Sequence, residues 1–234
     1  MRNIKLPGSN KNKLILLFVL IIIAILVIIN YGVENRNNSK EDTALVEDKV
    51  KEEKVETEIK AENNVSSEKE NKMYEEAYDN FHGGNYEGAI EIANNIITEF
   101  PESEKAYNIR GIAKAFNGNY DEGLQDINKS LEIKEDYGYA RFNKALCYEL
   151  YNDYENALIW YDKALQVEDY LWSYYGKASI YGRKGDIDGV ESNLKKAFEI
   201  AAKENVLDSV KEEAKNEADF ASVRDNSRFI ELVK

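Results

Sequence analysis

Few residues in this chain are suited to covalent or acid–base chemistry, and they stand apart. The one histidine, His82, closes a helical stretch beside Gly83-Gly84, with no Ser, Cys or acid spaced around it as nucleophile or orienting partner. A helix C-terminus is in any case a favourable place for an imidazole. The one cysteine, Cys147, lies between Leu146 and Tyr148 in an apolar run, the setting of a small core residue rather than of a thiolate. A single Cys also makes no intramolecular disulfide, Cys-based zinc site or CxxC redox pair. The acid pairs Asp121-Glu122 and Glu212-Glu213 are neighbours on helices, so their carboxylates point apart and read as solvated faces. Gly182-Arg183-Lys184-Gly185 lacks the spacing and the preceding strand of a phosphate loop. No catalytic residue, metal or cofactor is therefore expected. The formal net charge of −13 argues against nucleic acid, whose phosphates would be repelled. What remains is recognition of a protein or peptide.

The elements that would position such a surface announce themselves by repetition. Gly84-Asn85-Tyr86-Glu87-Gly88-Ala89-Ile90 returns 34 residues later as Gly118-Asn119-Tyr120-Asp121-Glu122-Gly123-Leu124. It returns again as Asn152-Asp153-Tyr154-Glu155-Asn156-Ala157-Leu158 and, more loosely, as Gly185-Asp186-Ile187-Asp188-Gly189-Val190. Self-similarity at such a period signals a stacked array of helical hairpins. The first position of each copy is Gly or Asn, the residues that best tolerate the left-handed conformation ending a helix. The second is Asn or Asp, suited to cap the N–H groups of the next helix. Small residues fall on both sides of the turn, at Ala77, Gly111, Ala145 and Ala178 before it and at Ala89, Gly123, Ala157 and Val190 after it. They predict close packing of the two helices of each hairpin. Helices are expected at about 72–83, 86–99, 104–117, 120–133, 138–151, 154–167, 172–184 and 187–203, an all-α array with repeats near 72–103, 104–137, 138–170 and 171–203. Leu207, Val210, Ala214 and Ala218 predict a closing helix, and Phe220, Val223, Phe229 and Ile230 a tail that folds back as a cap over 204–234.

Ahead of the array the chain changes character twice. Residues 1–13 carry Arg2, Lys5, Lys11 and Lys13 and no acid, followed by an unbroken apolar run from Leu14 to Ile29. Extended to Val33 this makes about 30 Å of helix at roughly 1.5 Å per residue, one hydrocarbon thickness. It is expected to be a transmembrane helix over 14–33, uncleaved because no A-x-A-like site follows it. The basic N-terminus then stays cytoplasmic, and everything beyond Val33 lies outside. Residues 34–71 contain no Gly, Pro or aromatic residue and read as a charged linker, with Val46, Val50, Val55 and Ile59 leaving a helical stalk open. Ile-, Asn- and Lys-rich usage points to a low-GC bacterium.

The four hairpins resemble the tetratricopeptide repeat: a small residue early in helix A, a Gly-Asp/Asn-Tyr turn and an Ala in helix B, over roughly residues 70–203. The usual Trp of helix A is here Met73, Tyr107, Arg141 and Tyr174, and the usual Leu three residues on is Glu76, Arg110, Lys144 and Lys177. The resemblance implies a right-handed α–α superhelix whose A helices line a concave groove. Its groove positions fall on Tyr74, Tyr78 and Phe81, on Lys105, Asn108, Ile112 and Ala115, on Tyr139, Phe142, Leu146 and Glu149, and on Trp172, Tyr175 and Ser179. Tyr74, Tyr78, Asn108, Ile112, Tyr139, Phe142, Trp172 and Tyr175 are the expected partner-binding residues. The Lys/Asn/Arg clamp by which some members hold a C-terminal carboxylate is not reproduced, since only Asn143 matches. A membrane-anchored, non-enzymatic scaffold for protein–protein interaction is therefore expected outside the cell membrane, the alternative being a module that senses a peptide or envelope ligand in the groove. Alkaline carbonate extraction is expected to leave the chain in the membrane pellet. Ile22→Arg with Ile25→Arg, at roughly 3 kcal/mol per buried charge, is expected to move it to the supernatant.

Overall fold

The computed structural model describes residues 66–234. The basic N-terminus, the apolar segment 14–33 and the linker as far as residue 65 lie outside the described residues. No helix among the described residues is long and apolar enough to cross a membrane. The first helix, α1 (66–82), is already formed at residue 66, so residues 66–71, read above as the end of the linker, are helical. There follow α2 (Tyr86–Glu99), α3 (Glu104–Phe116), α4 (Tyr120–Ile133), α5 (Gly138–Leu150), α6 (Tyr154–Leu165), α7 (Leu171–Arg183) and α8 (Ile187–Lys203). The chain closes with α9 (Leu207–Asn216), a 3-10 turn (Ala218–Phe220) and α10 (Ser227–Val233). Helices α3 and α4, α5 and α6, and α7 and α8 pack as antiparallel hairpins, while α3 touches α5 and α5 touches α7 along the other side.

The four repeated turns take the backbone form their residues predict. Gly84, Gly118, Asn152 and Gly185 have φ of 78°, 90°, 64° and 71°. At each one the following N–H reaches back five residues, from Asn85 to Asn80, Asn119 to Lys114, Asp153 to Tyr148 and Asp186 to Tyr181, at 2.8–3.0 Å. That bond satisfies a carbonyl which the helix end would otherwise orphan. Asn85, Asp153 and Asp186 then cap the next helix through their side chains, accepting from Gly88, Asn156 and Gly189 respectively. Asn119 makes no such bond, and α4 starts without a side-chain cap.

Between the two helices of each hairpin the small residues are buried. In the second hairpin the two backbones themselves meet: a Cβ added at Gly111 would lie 2.7 Å from the Gly123 carbonyl oxygen, and one added at Gly123 would lie 2.7 Å from that of Gly111. The last hairpin is covered by the tail: Val210, Ala214, Phe220, Val223, Phe229 and Val233 join the core of α7 and α8. Ile230, expected inside, is instead 53% exposed, because α10 turns Phe229 and Val233 inward and leaves Ile230 on its outer face.

The positions where this chain departs from the helix A leucine acquire a purpose in the stack. Arg110 donates to Asn94 at 2.8 Å, Lys144 to Asn128 at 2.6 Å and Lys177 to Asp162 at 2.5 Å. Donors and acceptors both advance by one repeat at a time, so each A helix is tied to the B helix before it. Arg110 also grips the buried Asp126 through two nitrogens, and Lys114 approaches the same carboxylate at 2.9 Å. Gly111→Ala is expected to force α3 from α4 and lower the stability of the array by roughly 1–3 kcal/mol in a thermal or denaturant melt. Gly123→Ala should do the same, and the two together should be non-additive because they widen one seam.

Candidate functional site

The A helices α1, α3, α5 and α7 share one face, and on it lie two adjoining hollows. The first, about 370 Å³, is walled by Tyr78, Phe81, Tyr139, Phe142, Tyr170 and Trp172. The second, about 570 Å³, is walled by Tyr175, Glu149, Ser179, Glu213, Glu217 and Asp219 among others. Phe116, Phe142, Leu146 and Trp172 line both, so the two form one groove running from α1 to the tail.

The first hollow is aromatic and held rigid by its own rings. Tyr139 stacks on Phe142 at 6.0 Å with 15° between planes, and Tyr170 meets Phe142 edge-on at 5.0 Å. Phe116 bridges to Phe81 at 5.4 Å, and Trp172 continues the row to Tyr175 at 5.5 Å. Rings fixed in this way offer large contact area at little loss of side-chain freedom on binding. Tyr78 is the most open of the lining aromatics, 37% exposed. Beside it His82 lies on the rim, its ring 4.1 Å from that of Tyr78, with its pKa lowered by burial against the opposing charge of Asp79.

Of the residues expected to bind, the groove brings together Tyr78, Tyr139, Phe142, Trp172 and Tyr175. Tyr74 is half-buried just beyond its end, with the Lys105 ammonium 5.9 Å over its ring. Asn108 and Ile112 are not at the surface at all; both are fully buried. Asn108 accepts from the Asn143 amide at 3.1 Å inside the stack, and Ile112 packs in the core with Phe81 and Cys147. The reason lies in the neighbouring repeats: Phe81 of α1 and Cys147 of α5 share the core cluster of Ile112, and Asn143 of α5 meets Asn108. Phe116, Tyr170, Arg183, Glu213, Glu217 and Asp219 are lining residues that the repeat positions did not indicate. Phe116 and Tyr170 sit at helix ends next to turns, and the last three belong to the tail, which has no repeat register. Cys147 is fully buried and burial pushes its thiol up to about 12, so it carries no thiolate.

The second hollow adds buried and charged polar groups to a lining that is still largely apolar. Glu149 is buried on α5, with the Tyr161 hydroxyl donating to Oε2 at 2.6 Å and the Ser179 hydroxyl 3.0 Å from Oε1. Ser179 also contacts an Asp219 oxygen, and Asp219 is paired with Arg183 at 2.7 Å. One hydroxyl proton serves only one of two carboxylates. Burial pushes the Glu149 carboxyl above its usual range, against the opposing pull of the bonds from Tyr161 and Ser179. Ser179 is therefore shared between Glu149 and Asp219, donating to one of them at a time. A carboxyl whose folded pKa is raised contributes stability that is complete at acid pH and is lost as pH rises through the folded value. Glu149→Gln keeps the donor and acceptor but not the titration. It is expected to be more stable than the parent at neutral pH, the difference closing in melts taken toward acid pH.

Comparison with known proteins bears on the repeats. The tetratricopeptide repeat family model matches residues 139–169 and 173–204, that is, α5–α6 and α7–α8. A TPR repeat-containing protein of Methanocaldococcus jannaschii is 27% identical over 120 residues, 51% of this chain and 21% of its own. The chain thus spans about a fifth of the length of that curated relative. Among solved structures, a thermophilic TPR protein of Thermus thermophilus is similar at a TM-score of 0.53 and 19% identity, over 59% of this chain and 77% of that one. A putative kinesin light chain of Podospora anserina with TPR-like repeats is similar at 0.51 and 13%, over 70% and 90%. At those identities the structures speak for the fold alone. The tetratricopeptide repeat model thus matches the hairpins α5–α6 and α7–α8, and the solved structures share the all-helical repeat fold.

Proposed function

We propose that this chain is a scaffold for protein–protein interaction that holds a segment of its partner in the groove of helices α1, α3, α5 and α7. The observation that carries this reading is the continuity of the groove. An aromatic wall from Tyr78 to Trp172 runs without a break into a hollow that adds polar and charged groups, on the face that the repeats leave uncovered. Apolar contact supplies the affinity and the few polar groups supply the selectivity, as in other preformed peptide sites. The apolar run Leu14–Val33 supports attachment to a membrane, and the bases ahead of it support an orientation with the array on the extracytoplasmic side of a bacterium.

A photoreactive residue at Phe142 or Trp172 is expected to crosslink a protein partner in living cells, while one at Ile159 on the outer face is not. Phe142→Ala with Trp172→Ala should lower retention of that partner at least about tenfold, as expected when two anchoring rings are truncated. Both side chains are only partly buried, so circular dichroism should show the helices retained. Capture from Ile159 and not from the groove would remove the basis for this reading.

A further inference from the structure

The groove differs in charge from one end to the other, and the acidic end is unbalanced. Glu213 stands in the last turn of α9 and Glu217 caps the same helix four residues on. Like charges at this spacing repel, and both sit where the helix dipole already presents negative potential. Among the described residues no cation pairs with either carboxylate; Arg224 donates instead to the Glu217 backbone carbonyl at 2.6 Å. Lys215, the base in that turn, is paired with Glu212 at 3.5 Å. Arg183 is paired with Asp219 at 2.7 Å and is not free to answer them.

Tyr175 supplies an independent sign at the same place. It is 6% exposed, it lines the second hollow, and its hydroxyl has no hydrogen-bond partner among the described residues. Burial first, and then the charges of Glu213, Glu217 and Asp219, push its pKa up. The phenol therefore stays neutral, keeping a donor and an acceptor without a partner, and it lines the same hollow as the three carboxylates. A buried polar atom without a partner costs about 1–3 kcal/mol, and one left so beside unpaired acids fits a missing donor. A group that carries several N–H donors and a positive charge, an ammonium or a guanidinium, satisfies the phenol oxygen and the carboxylates together.

Resting on the groove reading above, we infer that the segment bound there is an extended peptide bearing an aromatic or large aliphatic side chain next to a Lys or Arg. The apolar side chain lies among Tyr78, Phe142 and Trp172. The cation lies between Tyr175, Glu213 and Glu217. Trp172 and Tyr175, at 5.5 Å between ring centroids, mark the boundary between the two subsites, so adjacent or next-adjacent residues of one peptide span it.

The test is selection of a random-peptide phage library on the full-length chain in detergent, followed by titration of the selected peptides as synthetic fluorescent probes. Selected peptides are expected to pair an aromatic or aliphatic residue with Lys or Arg. Replacing that base by Gln, or installing Glu213→Gln with Glu217→Gln in the chain, should weaken binding about tenfold and flatten its salt dependence. Tyr175→Phe should weaken it several-fold, and Glu213→Lys with Glu217→Lys should turn the selection toward Asp and Glu. Peptides that depend on Phe142 and Trp172 but carry no base, or ignore Glu213 and Glu217, would overturn the charge preference and leave the groove reading standing. Peptides indifferent to Phe142 and Trp172, or none selected at all, would overturn both.

Discussion

A helical hairpin buries its apolar faces only as far as its two backbones can approach, and in this array the approach is set by side chains that are nearly absent. Ala77 with Ala89, Gly111 with Gly123, Ala145 with Ala157, and Ala178 with Val190 occupy corresponding places in the four hairpins, and all are buried. The left-handed turns at Gly84, Gly118, Asn152 and Gly185 aim the second helix back along the first. If either feature fails, the A helices no longer share a face, and a groove made of their shared face disappears with it. The aromatic wall is thus downstream of the glycine and alanine seams, although it contains none of them.

Stacking one hairpin on the next is a separate problem, and it is solved with charge. The bases Arg110, Lys144 and Lys177 occupy a place where a leucine would otherwise pack, and each crosses to the previous B helix to find Asn94, Asn128 or Asp162. Partly exposed pairs of this kind contribute little stability each, roughly 0–1 kcal/mol, but they hold register because a slip of one residue misplaces all of them at once. The buried Asp126, held by both Arg110 and Lys114, is the one site in the ladder where desolvation makes the pairing strict.

The turns and seams were legible in the sequence because each depends on residues close together in the chain: a left-handed position, a cap, a small side chain at helical spacing. The ladder was not, since donor and acceptor are 15 or 16 residues apart and meet only through the stacking geometry. Seen alone, Arg110, Lys144 and Lys177 are simply departures from a pattern. The groove residues were half legible. The resemblance to the tetratricopeptide repeat assigns Asn108 and Ile112 to the groove along with Tyr78 and Phe142, yet both are buried beneath it. It cannot register that side chains of neighbouring repeats enclose them, because depth depends on the sizes of side chains one repeat away. Ile230 fails for a related reason: a short helix of seven residues has room to bury Phe229 and Val233, and the residue between them in register faces out.

The tail explains why the groove has two characters. The first, third and fourth repeats place rings at their groove positions: Tyr78, Phe81, Tyr139, Phe142, Trp172, Tyr175. The tail answers a different demand, to cover the open side of α7 and α8, and it does so with Val210, Ala214, Phe220 and Phe229 on its inner face. Its outer face is left unconstrained by packing, and where that face turns toward the groove it carries Glu213, Glu217 and Asp219. A device for closing the last hairpin therefore also sets the electrostatics at the end of the groove. Glu213 and Glu217 take part in no seam, turn or rung of the ladder, whereas Asp219 is held by Ser179 and Arg183 of α7.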